Sequence, residues 1–306
     1  MQQFDALLYL VMLVGIGYIG VKVKLLPASV TDLLPQLLIN LCYPAMILSS
    51  LISINAAELV QTGLTAALIT LVITVLLYLL GKVALARIER PKRILFQFML
   101  GIGNVTYVGI PLISIFLGEK GVYYAVIHGV VQDILIWLLF YPSYLDNKKK
   151  DKLRLLKNPC MVALILGIFF SIFRIRLPDF LTLTLDRLSF VTSPLALLFL
   201  GSIIAEYGAL GWIKNIPAIV AGMIKVILLP LLIFFSLILI TDSYTSLLMA
   251  LLFSCPTPIM SIVWARQYDG DTKLSIHSCI FSTLLYLVVM SILLSILTAN
   301  GWISAA

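Results

Sequence analysis

Charge is scarce in this chain. Only 11% of its 306 residues are Asp, Glu, Lys or Arg, while 61% are hydrophobic, and the mean hydropathy is +1.11. A soluble domain carries about 25% charged residues, so this composition excludes one and points to a multi-span membrane protein. Histidine is reduced to two residues. H-E-x-x-H, G-x-S-x-G and paired acidic metal motifs are absent, which removes the signatures of an intramembrane enzyme. A G-x-x-x-x-G-K loop is missing too, which leaves no visible direct ATP drive. The four cysteines, Cys42, Cys160, Cys255 and Cys279, fall in apolar stretches without ligand spacing and read as packing residues rather than a disulfide set. No catalytic residue, metal or cofactor is expected. No basic leader or small-residue cleavage site precedes the first apolar stretch, so that stretch is expected to stay in the mature protein. The net charge of +7 resides in short loops and does not imply nucleic acid.

What is present is a series of about ten apolar segments, roughly 4–21, 32–53, 58–81, 94–118, 121–145, 158–174, 187–207, 215–240, 245–268 and 274–299. The longest polar break, Asp146 to Arg154, divides the chain nearly in half. The expected organisation is therefore a first five-helix unit over 1–145, a basic linker over 146–157 and a second five-helix unit over 158–306. Of the 21 Lys and Arg, sixteen fall in loops on one side and four on the other, with Lys225 inside a span. The positive-inside rule puts the rich side in the cytoplasm and both termini outside. The halves also resemble each other. Gly15…Lys22-Val23-Lys24-Leu25-Leu26-Pro27 matches Gly167…Arg174-Ile175-Arg176-Leu177-Pro178, and Tyr43-Pro44 matches Ser193-Pro194. Five spans is an odd number, so the second copy must lie inverted in the bilayer.

The stretch Gly101-Ile102-Gly103-Asn104-Val105-Thr106-Tyr107-Val108-Gly109-Ile110-Pro111 weakens the fourth segment as a helix. Broken backbone at membrane depth is tolerated only against protein or a water-filled cavity. The repeat sets this break against Ser254-Cys255-Pro256-Thr257-Pro258 in the ninth segment. Paired interruptions in inverted halves point to the binding site of a secondary transporter. Asn104 and Pro256 each lie about 11 residues, or roughly 16 Å, into their spans, so both breaks reach the midplane of a core about 30 Å thick. Two half-helix N-termini facing one cavity offer an anion site without a fixed cation.

These residues carry a family resemblance. Gly103-Asn104-Val105-Thr106-Tyr107-Val108-Gly109-Ile110-Pro111-Leu112 resembles the fourth-span crossover of the auxin efflux carrier family. Pro256 with Val263-Trp264-Ala265-Arg266-Gln267-Tyr268 is similar to the ninth-span crossover and its exit. Lys157-Asn158-Pro159 resembles the start of the second half. The resemblance implies an all-α integral membrane fold of ten helices in two inverted five-helix repeats, with broken helices 4 and 9 crossing as in bile-acid symporters. Helices 1, 2, 6 and 7 would form a scaffold, and helices 3–5 and 8–10 a transport domain moving as an elevator. It also implies a permease for small organic anions such as malate or auxin-like acids, with Asn104 on the substrate carboxylate. Gly103 stands where plant members carry proline, and the long central loop is missing, which implies a bacterial carrier of the cytoplasmic membrane.

The expected substrate-binding set is Asn104, Thr106, Tyr107, Pro256, Thr257, Pro258, Asn40 and Tyr43, with Gly103, Gly109 and Pro111 shaping the crossover backbone. Asp133 and Lys225 fall at similar depth in spans five and eight and are expected to form an ion pair; with His128 they are the candidates for proton or ion coupling. Ser278, Ser282 and Thr283 are expected to hydrogen-bond neighbouring helices or line a cation site. The expected partners are a small organic anion and the lipid bilayer, with a homodimer as the natural anchor for an elevator scaffold. The alternatives are a sodium-coupled symporter of bile-acid type, an intramembrane enzyme, or a receptor or anion channel on a transporter fold.

Overall fold

A computed structural model of the chain describes residues 2–27, 29–53, 63–144, 159–208 and 210–299. The expected linker 146–157 lies outside the described residues. Helices account for nearly all of the rest: α1 (Gln2–Lys22), α2 (Val30–Leu37), α3 (Tyr43–Ser53), α4 (Leu64–Ala84), α5 (Arg90–Gly101), α6 (Ile110–Leu135), α7 (Tyr141–Tyr144), α8 (Pro159–Ile172), α9 (Asp179–Tyr207), α10 (Ile216–Met223), α11 (Leu229–Leu237), α12 (Ser243–Phe253), α13 (Met260–Gln267) and α14 (Thr272–Ala299). No strand occurs among the described residues.

Six described stretches are long and apolar enough to cross a membrane: Val30–Ile52, Leu64–Ala84, Gly121–Tyr144, Asp179–Tyr207, Ile216–Leu237 and Thr272–Leu293. They coincide with expected spans two, three, five, seven, eight and ten. Spans one and six contribute the shorter apolar helices Val11–Lys22 and Pro159–Ile172. Spans four and nine are divided by their breaks. One boundary differs from the sequence reading: α6 continues through Gly118-Glu119-Lys120-Gly121, where a turn between spans four and five is expected. Glu and Lys are good helix formers, and they bridge the two glycines that signalled the turn.

Among the described residues, four complete π-helical turns occur: Leu38–Cys42, Val105–Gly109, Ile136–Phe140 and Ile224–Leu228. Each ends two residues ahead of a proline, at Pro44, Pro111, Pro142 and Pro230. The proline ring clashes with the carbonyl four residues back and donates no N–H, and the wider turn relieves both problems without ending the helix. Carbonyls loosened in this way need partners. In the first turn, Cys160 Sγ donates to the Ile39 carbonyl and Thr192 Oγ1 to the Cys42 carbonyl, each at 3.3 Å.

Packing follows the halves in exchanged pairs. α1 lies along α9, and α3 along α8, so the opening helices of each half pack against the other half. α4 packs on α6 and α5 within the first half; α10 packs on α14, and α11 on α12, within the second. The α1–α9 approach depends on two small residues. A Cβ on Gly17 would overlap the Leu198 carbonyl, and one on Gly201 would overlap the Val14 carbonyl. Backbone contact of this kind is how helices associate where lipid removes the hydrophobic drive.

Candidate functional site

The two breaks meet. α5 ends at Gly101, and the chain runs extended through Ile102 before Asn104 leads into the π turn that starts α6. α12 ends at Phe253, and the chain resumes helical form at α13. Between them, the Asn104 backbone amide donates to the Pro256 carbonyl over 2.8 Å. Cys255 fills the space beside the contact. A Cβ on Gly109 would lie 2.6 Å from Cys255 Sγ, and one on Gly103 would lie 3.0 Å from Cys255 Cβ. The glycines expected to shape the crossover therefore make room for the opposite break.

Each break is braced by the span that follows it in its own half. Gln132 donates from Nε2 to the Gly101 carbonyl at 3.3 Å and accepts the Gly103 amide on Oε1 at 3.2 Å. Ser282 accepts the Thr257 amide on Oγ at 3.0 Å, and Cys279 Sγ donates to the Thr257 carbonyl at 3.5 Å. The expected hydrogen-bonding role of Ser282 is thus observed. Gln132 was missed: its signal is a single amide residue in an apolar span, overshadowed by the neighbouring Asp133.

A cavity of about 20 Å³ sits at the crossover, lined by Tyr43, Asn104, Thr106, Gln132, Asp133 and Pro258 among others. That is room for about one water molecule. Asn104 is 3% exposed, and its Nδ2 has no partner. Its own carbonyl accepts the Val108 and Gly109 amides at 3.2 Å. Tyr43 donates its hydroxyl to Asp133 Oδ1 at 3.2 Å, which ties α3 to α6 across the cavity. Thr257 does not line the cavity; it is buried with an unpartnered hydroxyl. Tyr107 and Pro111 lie on the described backbone of the π turn and of α6, with side chains outside the described ones.

Of the remaining expected residues, Asp133 lines the cavity, and Lys225, His128 and Asn40 do not. Asp133 and Lys225 form no ion pair: Asp133 is held by Tyr43, and Lys225 Nζ donates instead to the Leu100 carbonyl at 3.1 Å. His128 is fully buried against Phe253, with ring centroids 4.8 Å apart. Its Nδ1 is 2.8 Å from Thr70 Oγ1, which itself donates to the Ala66 carbonyl. Nε2 has no partner. Asn40 is exposed and lines a separate vestibule of about 420 Å³ with Asp32, Gln36, Val263, Arg266 and Gln267. Arg266 closes one wall, donating to Glu206 at 3.0 Å, Asp32 at 3.4 Å and the Thr31 carbonyl at 3.0 Å. Vestibule and cavity are one helical turn apart on both sides: Ile39 and Val263 line the first, Tyr43 and Met260 the second.

The family described as "Membrane transport protein" matches residues 3–150 and 143–294 of the chain. Among curated proteins, one named "Uncharacterized transporter MJ1031", from Methanocaldococcus jannaschii, is 24% identical over 309 residues, covering 95% of this chain and 98% of that protein.

Proposed function

Because the chain belongs to this membrane transport family, the auxin efflux carrier family, we propose that it is a secondary carrier of small organic anions, with the carboxylate bound where the breaks of spans four and nine cross. The observation that carries this reading is Asn104. Its buried amide nitrogen lacks a partner and lines a cavity where two half-helices begin. Burying an unpaired amide costs about 1–3 kcal/mol, and a carboxylate oxygen is the acceptor it lacks. Thr106 and the Pro258 turn complete the lining, and the helix N-termini supply positive dipole ends. The cavity in its present form is too small for a dicarboxylate. The vestibule, at about 420 Å³, is within the size range of ligand sites.

In this reading the ten spans form two inverted repeats, the vestibule opens to the cytoplasm, and Asn40 meets the substrate on its way in. The Ile39–Tyr43 and Val263–Met260 layer separates the two chambers. Spans 3–5 and 8–10 then move against spans 1, 2, 6 and 7 so that the crossover faces either side in turn. The exchanged packing of α1 with α9 and of α3 with α8 supports a common scaffold built from both halves. No ATP motif is present, so an ion gradient, the membrane potential or the substrate's own gradient drives the cycle. One charge moved through 100 mV is worth about 2.3 kcal/mol.

Counterflow in proteoliposomes tests this, using labelled malate and indole-3-acetate with Asn104→Ala as the control. Saturable exchange of either acid, lost in the variant, is the expected result. Exchange that survives in the variant moves the site away from the crossover. No exchange of either acid removes the substrate class.

A further inference from the structure

Lys225 is fully buried, in the π turn Ile224–Leu228 between α10 and α11. Its ammonium donates to the Leu100 carbonyl at 3.1 Å. Leu100 belongs to the last turn of α5, where carbonyls have no intrahelical partner and the helix dipole is negative. The following residues, Gly101, Ile102 and Gly103, provide no side-chain donor for these carbonyls.

The other break is closed differently. At the end of α12, Ser254 Oγ donates to the Leu251 carbonyl at 2.7 Å, and Cys255 Sγ reaches the same oxygen at 3.7 Å. Neutral groups of the break itself satisfy that terminus. In the first half, the positions in step with Lys225 by the repeat spacing are Ile73, Thr74 and Val75, and none carries a charge. A cation therefore stands at one break only.

Among the described residues, no carboxylate pairs with it. Asp133 is held by Tyr43, and the titratable groups that interact electrostatically with Lys225 are His128 and Cys255. The ammonium's counter-charge is the end of α5. Such half-helix C-termini and unwound carbonyls are where secondary carriers hold a coupling sodium ion. An ammonium carries the same single charge on a tether.

We propose that Lys225 is a tethered cation that takes the place of an inorganic coupling ion at the fourth-span break, so that the carrier cycles without sodium. Lys225 is a positioning residue: it fixes the end of α5 and, through the extended link that follows, the place of Asn104. This inference rests on the carrier reading above, and the first arm of its test needs no substrate.

The full chain is purified in detergent as wild type, Lys225→Gln and Lys225→Arg, and melted in matched NaCl, LiCl and choline chloride. Wild type and Lys225→Arg are expected to melt alike in all three salts. Lys225→Gln is expected to melt lower in choline and to gain roughly 2–4 °C in sodium or lithium, because an ion that binds only the folded state raises Tm. In counterflow with labelled malate and indole-3-acetate, wild type is expected to exchange equally in sodium and choline. Lys225→Gln is expected to lose at least about tenfold in choline and to recover in sodium or lithium. A merely structural brace would not produce that ion-specific recovery.

Sodium stabilisation or stimulation of the wild type overturns the proposal. So does a folded Lys225→Gln protein that ignores both ions, or one that exchanges normally in choline. If Lys225→Gln does not fold, the salt response of the wild type decides. If neither acid is exchanged by the wild type, the substrate reading fails while the melting curves still decide the role of Lys225.

Discussion

The backbone amide of Asn104 and the carbonyl of Pro256, from opposite halves of the chain, are hydrogen-bonded at 2.8 Å. The contact is between main chains, so it survives side-chain substitution and depends on how closely the breaks approach. Cys255 sets that approach against Gly109. Gly109→Ala would place a methyl 2.6 Å from Cys255 Sγ, and overpacking of this kind costs about 1–3 kcal/mol. Cys255→Ala in the same chain removes the sulfur and is expected to return most of the loss. A double-mutant cycle read by Tm checks it; additive losses would show that the sulfur is not the obstacle.

Gln132 satisfies two backbone groups of its break, and Ser282 one, its other bond going to the Cys279 carbonyl within its own helix. Gln132→Leu is therefore expected to destabilise more than Ser282→Ala, since each orphaned group costs about 1–3 kcal/mol. Gln132→Glu, kept neutral by burial, retains an acceptor for Gly103 and an O–H donor for Gly101 and should lose least of the three. The order of the three melting temperatures is the measurement.

Arg266 joins the end of α13 to Asp32 at the start of α2 and Glu206 at the end of α9. The carboxylates are exposed, so each pair is worth only about 0–1 kcal/mol. Arg266→Gln is expected to change Tm by no more than about 2–4 °C. Its effect should appear in exchange kinetics, because the ties from α13 to α2 and α9 are gone. Adding salt to the wild type should mimic the variant in part, because screening weakens exposed pairs. An exchange rate unchanged by both would show that these ion pairs do not restrain the cycle.

Asp242 caps α12 from the loop, its Oδ1 accepting the Thr245 amide at 3.0 Å. Hydrogen bonds from Thr245 hold its carboxyl below the ordinary carboxylate range. A lowered pKa stabilises the fold above the unfolded value, near 4, and that contribution fades as pH drops through the folded value. Asp242→Ala is expected to cost about 0.5–2 kcal/mol at neutral pH. The gap between variant and wild type should narrow below about pH 4. Melting curves across that range check the sign; a gap that widens on acidification would contradict it.

The two breaks were legible because glycine, proline and asparagine are costly in a lipid-facing helix, and few explanations cover two such stretches in register. The partner of Asp133 was not. Counting residues along a span fixes depth but not direction around the bundle, so Asp133 and Lys225 can share a level while facing different neighbours. Asn40 and Tyr43 illustrate the same limit: one turn apart, they line separate chambers. The π turns were within reach, since each stands two residues before a proline, but a hydropathy reading treats the spans as uniform α-helix. The single Gln132 gave no pattern to read, because its role appears only when the Gly101 and Gly103 backbone groups come within reach.

The braces at the breaks bear on how the protein is made. Gln132 follows Gly103 by 29 residues, and Ser282 follows Thr257 by 25. In each case the interrupted helix finds its hydrogen bonds in the next span to leave the ribosome. The Gly101 and Gly103 groups can thus be satisfied during synthesis, before the second half exists to pack against the first, whereas the Leu100 carbonyl and the Asn104 amide wait for Lys225 and Pro256, and the contacts that join the halves are the late events.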